Sequence, residues 1–162
     1  MIRSGLLLIL ISFLSLEGAK YAQASSWQQE MLNTVNVMRS KEGVAPLRIC
    51  KEIQKAAQNY ASYMARENFY SHKGKDGSNV GDRLTQAGYR WRSAKSGSFI
   101  GENIAAGQTS VVAVMNDWAM SPSHRSNILN RNFTHVGFGR AQSRESKFGV
   151  YWVQNFGSGV RC

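Results

Sequence analysis

The stretch HVGFGRAQSRESKFGVYWVQNFG, residues 135–157, decides the fold class. On either side of a polar centre its residues alternate with a period of two, so the two arms read as a pair of strands joined by a turn. Upstream the period is helical. SSWQQEMLNTVNVMRSKEG (25–43) opens with Ser26 and, three positions on, Gln29, the pattern of a capping box. Trp27, Met31, Val35 and Met38 then recur at helical spacing until Gly43. CKEIQKAAQNYASYMAREN (50–68) carries Ile53, Ala56, Ala57, Tyr60 and Met64 on one apolar face. Between the two helices, VAPLRI (44–49) is an extended connector, because Pro46 disfavours helical dihedrals at Ala45. Helices first and a hairpin last give an α+β domain with helices packed on an antiparallel sheet.

The middle of the chain is less regular. FYSHKGKDGSNVGDRLTQAGYRW (69–91) starts as a polar, glycine-rich loop and turns helical over Val80–Ala87, ended by Gly88. GENIAAGQ (101–108) reads as a turn or a single helical turn. SVVAVMNDWAM (110–120) is a third long helix, capped by Ser110 and stopped before Pro122. In WAMSPSHRSNIL (118–129) the apolar period breaks at Ser121-Pro122, and His124 follows shortly after. Pro122 is read here as ending the helix so that the chain can swing His124 away in a loop, with a small helical turn at Arg125–Leu129.

Residues 1–24 look like an export signal: Arg3, an apolar run over Leu6–Leu16, then Ala22-Gln23-Ala24. The run falls short of the roughly 20 residues that span a membrane. Cleavage after Ala24 leaves 25–162, a length that suits one domain. Losing Arg3, Lys20 and Glu17 takes the formal charge from +10 to +9. A secreted basic domain has anionic glycans and membrane surfaces as natural partners, although scattered charge also describes a merely solvated surface. RWRSAK (90–95) is the densest basic group. The aromatics fall at core-like spacing, which argues against a specific nucleic-acid reader. Cys50 and Cys162 are the two cysteines; in an oxidising compartment they have one possible pairing, and two free thiols are the alternative. A disulfide there closes a loop worth roughly 4–5 kcal/mol at most on loop entropy. Asn132-Phe133-Thr134 is a glycosylation acceptor in a eukaryotic host.

His72 and His124 sit among polar and glycine residues, and Glu102 lies between them in sequence, far from both. Two imidazoles and a carboxylate make a competent divalent-cation site, zinc being the usual choice. Alternatively Glu102 accepts a ring N–H and fixes the tautomer of a ligating histidine. His135 opens a strand and Trp118 suits the core. Gln154 reads as a buried or edge-strand polar group satisfied by backbone. Ser121 and Ser123 beside His124 suggest a nucleophile–base pair, but sequence shows only their adjacency.

FYSHKG (69–74), GENIAAG (101–107), WAMSPSHRSNIL, HVGFG (135–139) and YWVQNFG (151–157), in that order, resemble the successive signatures of the CAP superfamily of cysteine-rich secretory, antigen 5 and pathogenesis-related proteins. The shorter bacterial- and fungal-type members are the most similar. The resemblance covers about Met31 to Phe156. It implies a three-layer α-β-α sandwich around an antiparallel sheet, with a central cavity lined by two histidines and two acids. It assigns His72 and His124 as the metal-capable pair and Glu102 as the first acid. At the second acid's position this chain has Ser121, and Asp117, one helical turn earlier, is a substitute. The resemblance further implies a secreted, monomeric, non-enzymatic binding protein for sterol or fatty acid, acting in host interaction or defence. The alternative is a hydrolase using the same cavity.

Overall fold

The computed structural model describes residues 26–91, 97–158 and Cys162. The expected export segment and most of RWRSAK lie outside them. Within them the chain runs α1 (Ser26–Lys41), β1 (Arg48–Ile49), α2 (Lys51–Arg66), α3 (Val80–Gln86), β2 (Ile100–Ala106), α4 (Val111–Met120), α5 (Pro122–Ile128), β3 (His135–Gln142) and β4 (Val150–Gly157). The strands form one sheet in the order β1-β3-β4-β2. β3 and β4 are the expected antiparallel pair, in register from His135–Gly157 to Gln142–Val150. The short β1 adds a parallel edge to β3.

GENIAAGQ is a strand, not a turn. β2 pairs antiparallel with β4 from Ile100–Gly157 to Ala106–Tyr151. Glycine, glutamate and asparagine are poor strand formers in isolation, but backbone pairing with a fully buried central strand overrides that preference. The chain leaves the strand at Gly107, whose φ of +102° suits glycine. α1 begins at Ser26, and Gln29 donates to Asn33; the expected capping box there falls on a side chain outside the described ones. A capping box is present at α3: the Asn79 side chain accepts from the Gly81 and Asp82 amides while the Asp82 carboxylate accepts from the Asn79 N–H.

Alternation along the strands divides the core between two faces. Trp152, Phe156, Phe138, Val136 and Ala105 pack against Met31 and Val35 of α1, Val114, Met115 and Trp118 of α4 and Ile128 of α5. Tyr151, Val153 and Ile104 pack against Ala57, Tyr60, Ala61 and Met64 of α2. Ile53 and Ala56 continue that layer to Leu84 of α3. The helix faces read from sequence therefore cover the sheet as a three-layer sandwich. Cys50, the N-cap residue of α2, is bonded to Cys162 across a sequence separation of 112. Among the described residues no helix is long and apolar enough to cross a membrane. Asn132 is exposed while Phe133, inside the same tripeptide, is buried in the core.

Both sheet edges are closed by side chains. Where β1 ends, the outward backbone groups of β3 meet α2: Gln54 exchanges two hydrogen bonds with the Phe138 N–H and carbonyl. Gln58, one helical turn on, does the same at Arg140. Four helical residues rise about 6 Å and two strand residues about 6.6 Å, so the two repeats match. At the opposite edge, the Ile104 carbonyl of β2 accepts from Tyr70 Oη and Trp118 Nε1, and the Glu102 carbonyl from Asn127 Nδ2.

His135 gives the fold a pH dependence. Burial first, and Arg48 opposite it on β1 second, hold the imidazole below its ordinary value. The unfolded chain therefore takes up the proton first on acidification. Stability is full above the unfolded value, about 6.5, and is lost as pH falls through it towards the folded value. Urea unfolding should show a shallower loss of stability between pH 7 and pH 5 in His135→Asn than in wild type. Equal slopes would remove His135 from this account.

Candidate functional site

Residue 72 is held by its loop and by the sheet together. Tyr60 Oη of α2 donates to the Ser71 carbonyl at 2.6 Å, and burial pushes its phenol up to about 12, so it stays a donor. Beyond that anchor, His72 Nδ1 lies 2.9 Å from Glu102 Oε1 of β2. The Glu102 side chain is 3% exposed and that of His72 60%. A buried carboxyl group thus holds one nitrogen of a ring that is otherwise largely exposed.

Sequence reading missed the residue that fixes Glu102. Arg83 Nη2 of α3 reaches both carboxylate oxygens, at 3.0 and 2.8 Å, and the His72 main-chain carbonyl at 3.1 Å. Its Nη1 donates to the Ser78 carbonyl, and its guanidinium lies 3.5 Å above the Tyr60 ring centroid. The Arg83 side chain is 8% exposed. The available signal was spacing: Arg83 stands one turn after Val80 and beside Leu84, on the face of α3 that packs inward. Held in this way, both Glu102 oxygens are engaged by Arg83, and Oε1 also meets His72.

His124 lies in a helix, which corrects the loop reading. Ser121 ends α4, its N–H donating to the Asp117 carbonyl, and its extended backbone is also the N-cap of α5. Pro122 sits in the first turn of α5, where a missing N–H costs nothing and its fixed φ suits the helix. The proline that stops one helix therefore starts the next and places His124 on its first turn. Burial, and then the nearby His72, keep the His124 imidazole below its ordinary value, so it is neutral at pH 7.

His124 borders a hollow of about 290 Å³ beside the outer edge of β2. Asp117, Ser121 and Gln108 give it a polar wall; Tyr70, Phe148 and Trp118 give it an aromatic one. Asp117 does share the space beside Ser121, but its carboxylate is engaged by Gln108 Nε2 at 2.7 Å. Glu102 and His72 stand outside the lining of this hollow. Ser121 Oγ lies 3.2 Å from Ser123 Oγ, and among the described residues no hydroxyl–imidazole hydrogen bond links either serine to His124. Gln154 is fully buried, and its partner is the Asn103 side chain rather than backbone.

Among the described residues, the one set of three or more histidine, cysteine or acidic ligand atoms within 4.8 Å of one another is Cys50, Glu52 and Cys162, and the disulfide removes both thiolates from it. The imidazoles that could hold a cation are His72, with Glu102 behind it, and His124; imidazole nitrogen is a ligand that zinc accepts, and no acid joins both rings in a set of three ligand atoms within 4.8 Å among the described residues.

A family model described as the cysteine-rich secretory protein family, CAP, matches residues 32–156. The chain belongs to the CAP family. It is 32% identical over 135 residues to the uncharacterized protein YkwD of Bacillus subtilis (strain 168), covering 83% of this chain and 48% of that protein. An extracellular protein containing a SCP domain from Bacillus anthracis str. Ames superposes with a TM-score of 0.68 at 27% identity, over 90% of this chain and 44% of that one. An outer surface protein of Borrelia burgdorferi superposes with a TM-score of 0.71 at 20% identity, over 82% and 92% of the two chains, a likeness of fold. This CAP chain thus spans about half the length of YkwD and of the Bacillus anthracis protein.

Proposed function

We propose that this CAP domain is an exported binding module that holds a divalent cation, zinc being the natural choice, between His72 and His124. The observation that carries the reading is the 2.9 Å contact of His72 Nδ1 with a buried Glu102 that Arg83 keeps in place. When bound, such a cation would supply a Lewis-acidic centre with open positions beside the hollow. The chain's own residues do the rest: Glu102 fixes the His72 ring, burial keeps His124 neutral, and Tyr70, Phe148 and Trp118 give the hollow beside it an apolar side. That side also supports a ligand with an apolar portion, the fatty-acid or sterol class, its polar end facing Asp117, Ser121 and His124. Export is supported by the leader pattern of residues 1–24, by the disulfide, and by the extracellular and outer-surface relatives. The basic charge supports association with an anionic glycan or membrane surface.

Calorimetric titration with zinc is expected to show one saturable site in the wild type and none in His72→Ala/His124→Ala. Glu102→Gln is expected to bind roughly 10–100-fold more weakly, as loss of an orienting partner usually gives. Identical heats in wild type and double variant would end the cation reading.

A further inference from the structure

Glu102 and Asn103 are neighbours on β2, so their side chains point to opposite faces of the sheet. Glu102 faces the α2–α3 layer and holds His72. Asn103 faces the α4–α5 layer, is fully buried, and uses its whole amide. Its Nδ2 donates to the His124 main-chain carbonyl at 3.1 Å and to Gln154 Oε1 at 3.0 Å. Its Oδ1 accepts from Asn127 Nδ2 at 2.8 Å, and the same Asn127 nitrogen reaches the Glu102 carbonyl at 3.2 Å. Asn127 lies one turn after His124, so β2 grips α5 at two points within a single helical turn.

We propose that β2 sets the gap between the two imidazoles by gripping each from an opposite face, with Asn103 the positioning residue for His124. The role rests on the cation reading for its purpose but on hydrogen-bond geometry for its existence. The other ties on α5 lie elsewhere: Arg39 holds the Ile128 carbonyl at its far end, and Arg125 pairs with Glu42 on its exposed side. The amide of Asn103 is the group that takes the His124 carbonyl itself. Gln154 makes the idea sharply testable, because its buried Nε2 has no partner among the described residues. In Asn103→Asp the Gln154 amide can flip and donate, and Asn127 can still donate to the second carboxylate oxygen. The bond to the His124 carbonyl is then the one lost outright, since an acceptor replaces its donor.

The test compares wild type, Asn103→Asp and a control, Gln58→Ala, which weakens the opposite sheet edge. Zinc alone is titrated into each, and each is crystallised without metal. Asn103→Asp is expected to bind zinc roughly 10–100-fold more weakly while Gln58→Ala stays near wild type. In the metal-free crystals, Asn103→Asp should shift His124 by about 1 Å relative to His72, a displacement large enough to spoil a site. If the buried carboxylate prevents folding, Asn127→Leu loosens the same helix and takes its place. Unchanged zinc affinity or an unmoved His124 overturns the proposal. A wild type that binds no zinc overturns the cation reading instead, and the metal-free crystals alone then decide whether Asn103 positions His124.

Discussion

Replacing Arg39 by methionine is expected to destabilise the domain by about 4 kcal/mol, a large part of a typical margin of roughly 5–15 kcal/mol. Arg39 is fully buried in the last turn of α1 and has no carboxylate partner among the described residues. Four main-chain carbonyls take its protons instead: Ala45 at 2.7 Å from Nε, Ile128 and Asn130 at 2.7 and 3.0 Å from Nη1, and Phe133 at 3.1 Å from Nη2. Ile128 and Asn130 lie at the C-terminal end of α5, where a cation is also favoured by the helix dipole. Burial, and secondarily Arg131, pull the guanidinium below its ordinary value, and the carbonyls oppose that pull. Methionine fills similar volume but leaves several buried acceptors unpaired. Arg39→Lys keeps the charge without the planar fork and should lose about half as much. Urea unfolding reads both values. A methionine variant within about 1 kcal/mol of wild type would show that water or relaxation satisfies the carbonyls.

Gly139→Ala should cost about 3 kcal/mol, the upper end of what overpacking usually does. A Cβ at residue 139 would stand 2.1 Å from the Ala57 carbonyl oxygen and 2.3 Å from its carbon, both helix backbone. No rotamer relieves that contact, so α2 must retreat, and the Gln58 bonds to Arg140 stretch with it. Gly137 meets the backbone of Ile53 and Gln54 in the same way. The glycines of HVGFG are therefore the surface on which α2 rests. Gly43→Ala is the informative contrast: its φ of +62° is strained for alanine, but none of the described residues lies within 4 Å of the added Cβ, so the cost should stay at about 1 kcal/mol. Thermal unfolding that ranks the two variants equally would refute the close-approach account.

Part of the site is legible in the sequence. Motifs alone single out His72, Glu102 and His124, and the fold joins the first two directly. Arg83 and Asn103 stay hidden, because each holds partners well away along the chain: Arg83 the His72 carbonyl, Asn103 the Gln154 amide. A polar residue in a short helix or strand looks solvated unless its tertiary neighbours are known. The turn reading of GENIAAGQ failed for the same reason: its local composition disfavours a strand, and its pairing partner lies at the far end of the chain.

Periodicity was set locally: which segments are helices, that residues 135–157 form a hairpin, which faces are apolar, and which residues carry chemistry. Spacing and the dihedral limits of proline and glycine suffice for these. Three outcomes needed the folded chain: which strand lies at the centre, that Pro122 begins a helix as well as ending one, and how the two histidines are held. They depend on backbone hydrogen bonds and buried polar groups that must find partners far along the chain, and no window of sequence contains both members of such a pair.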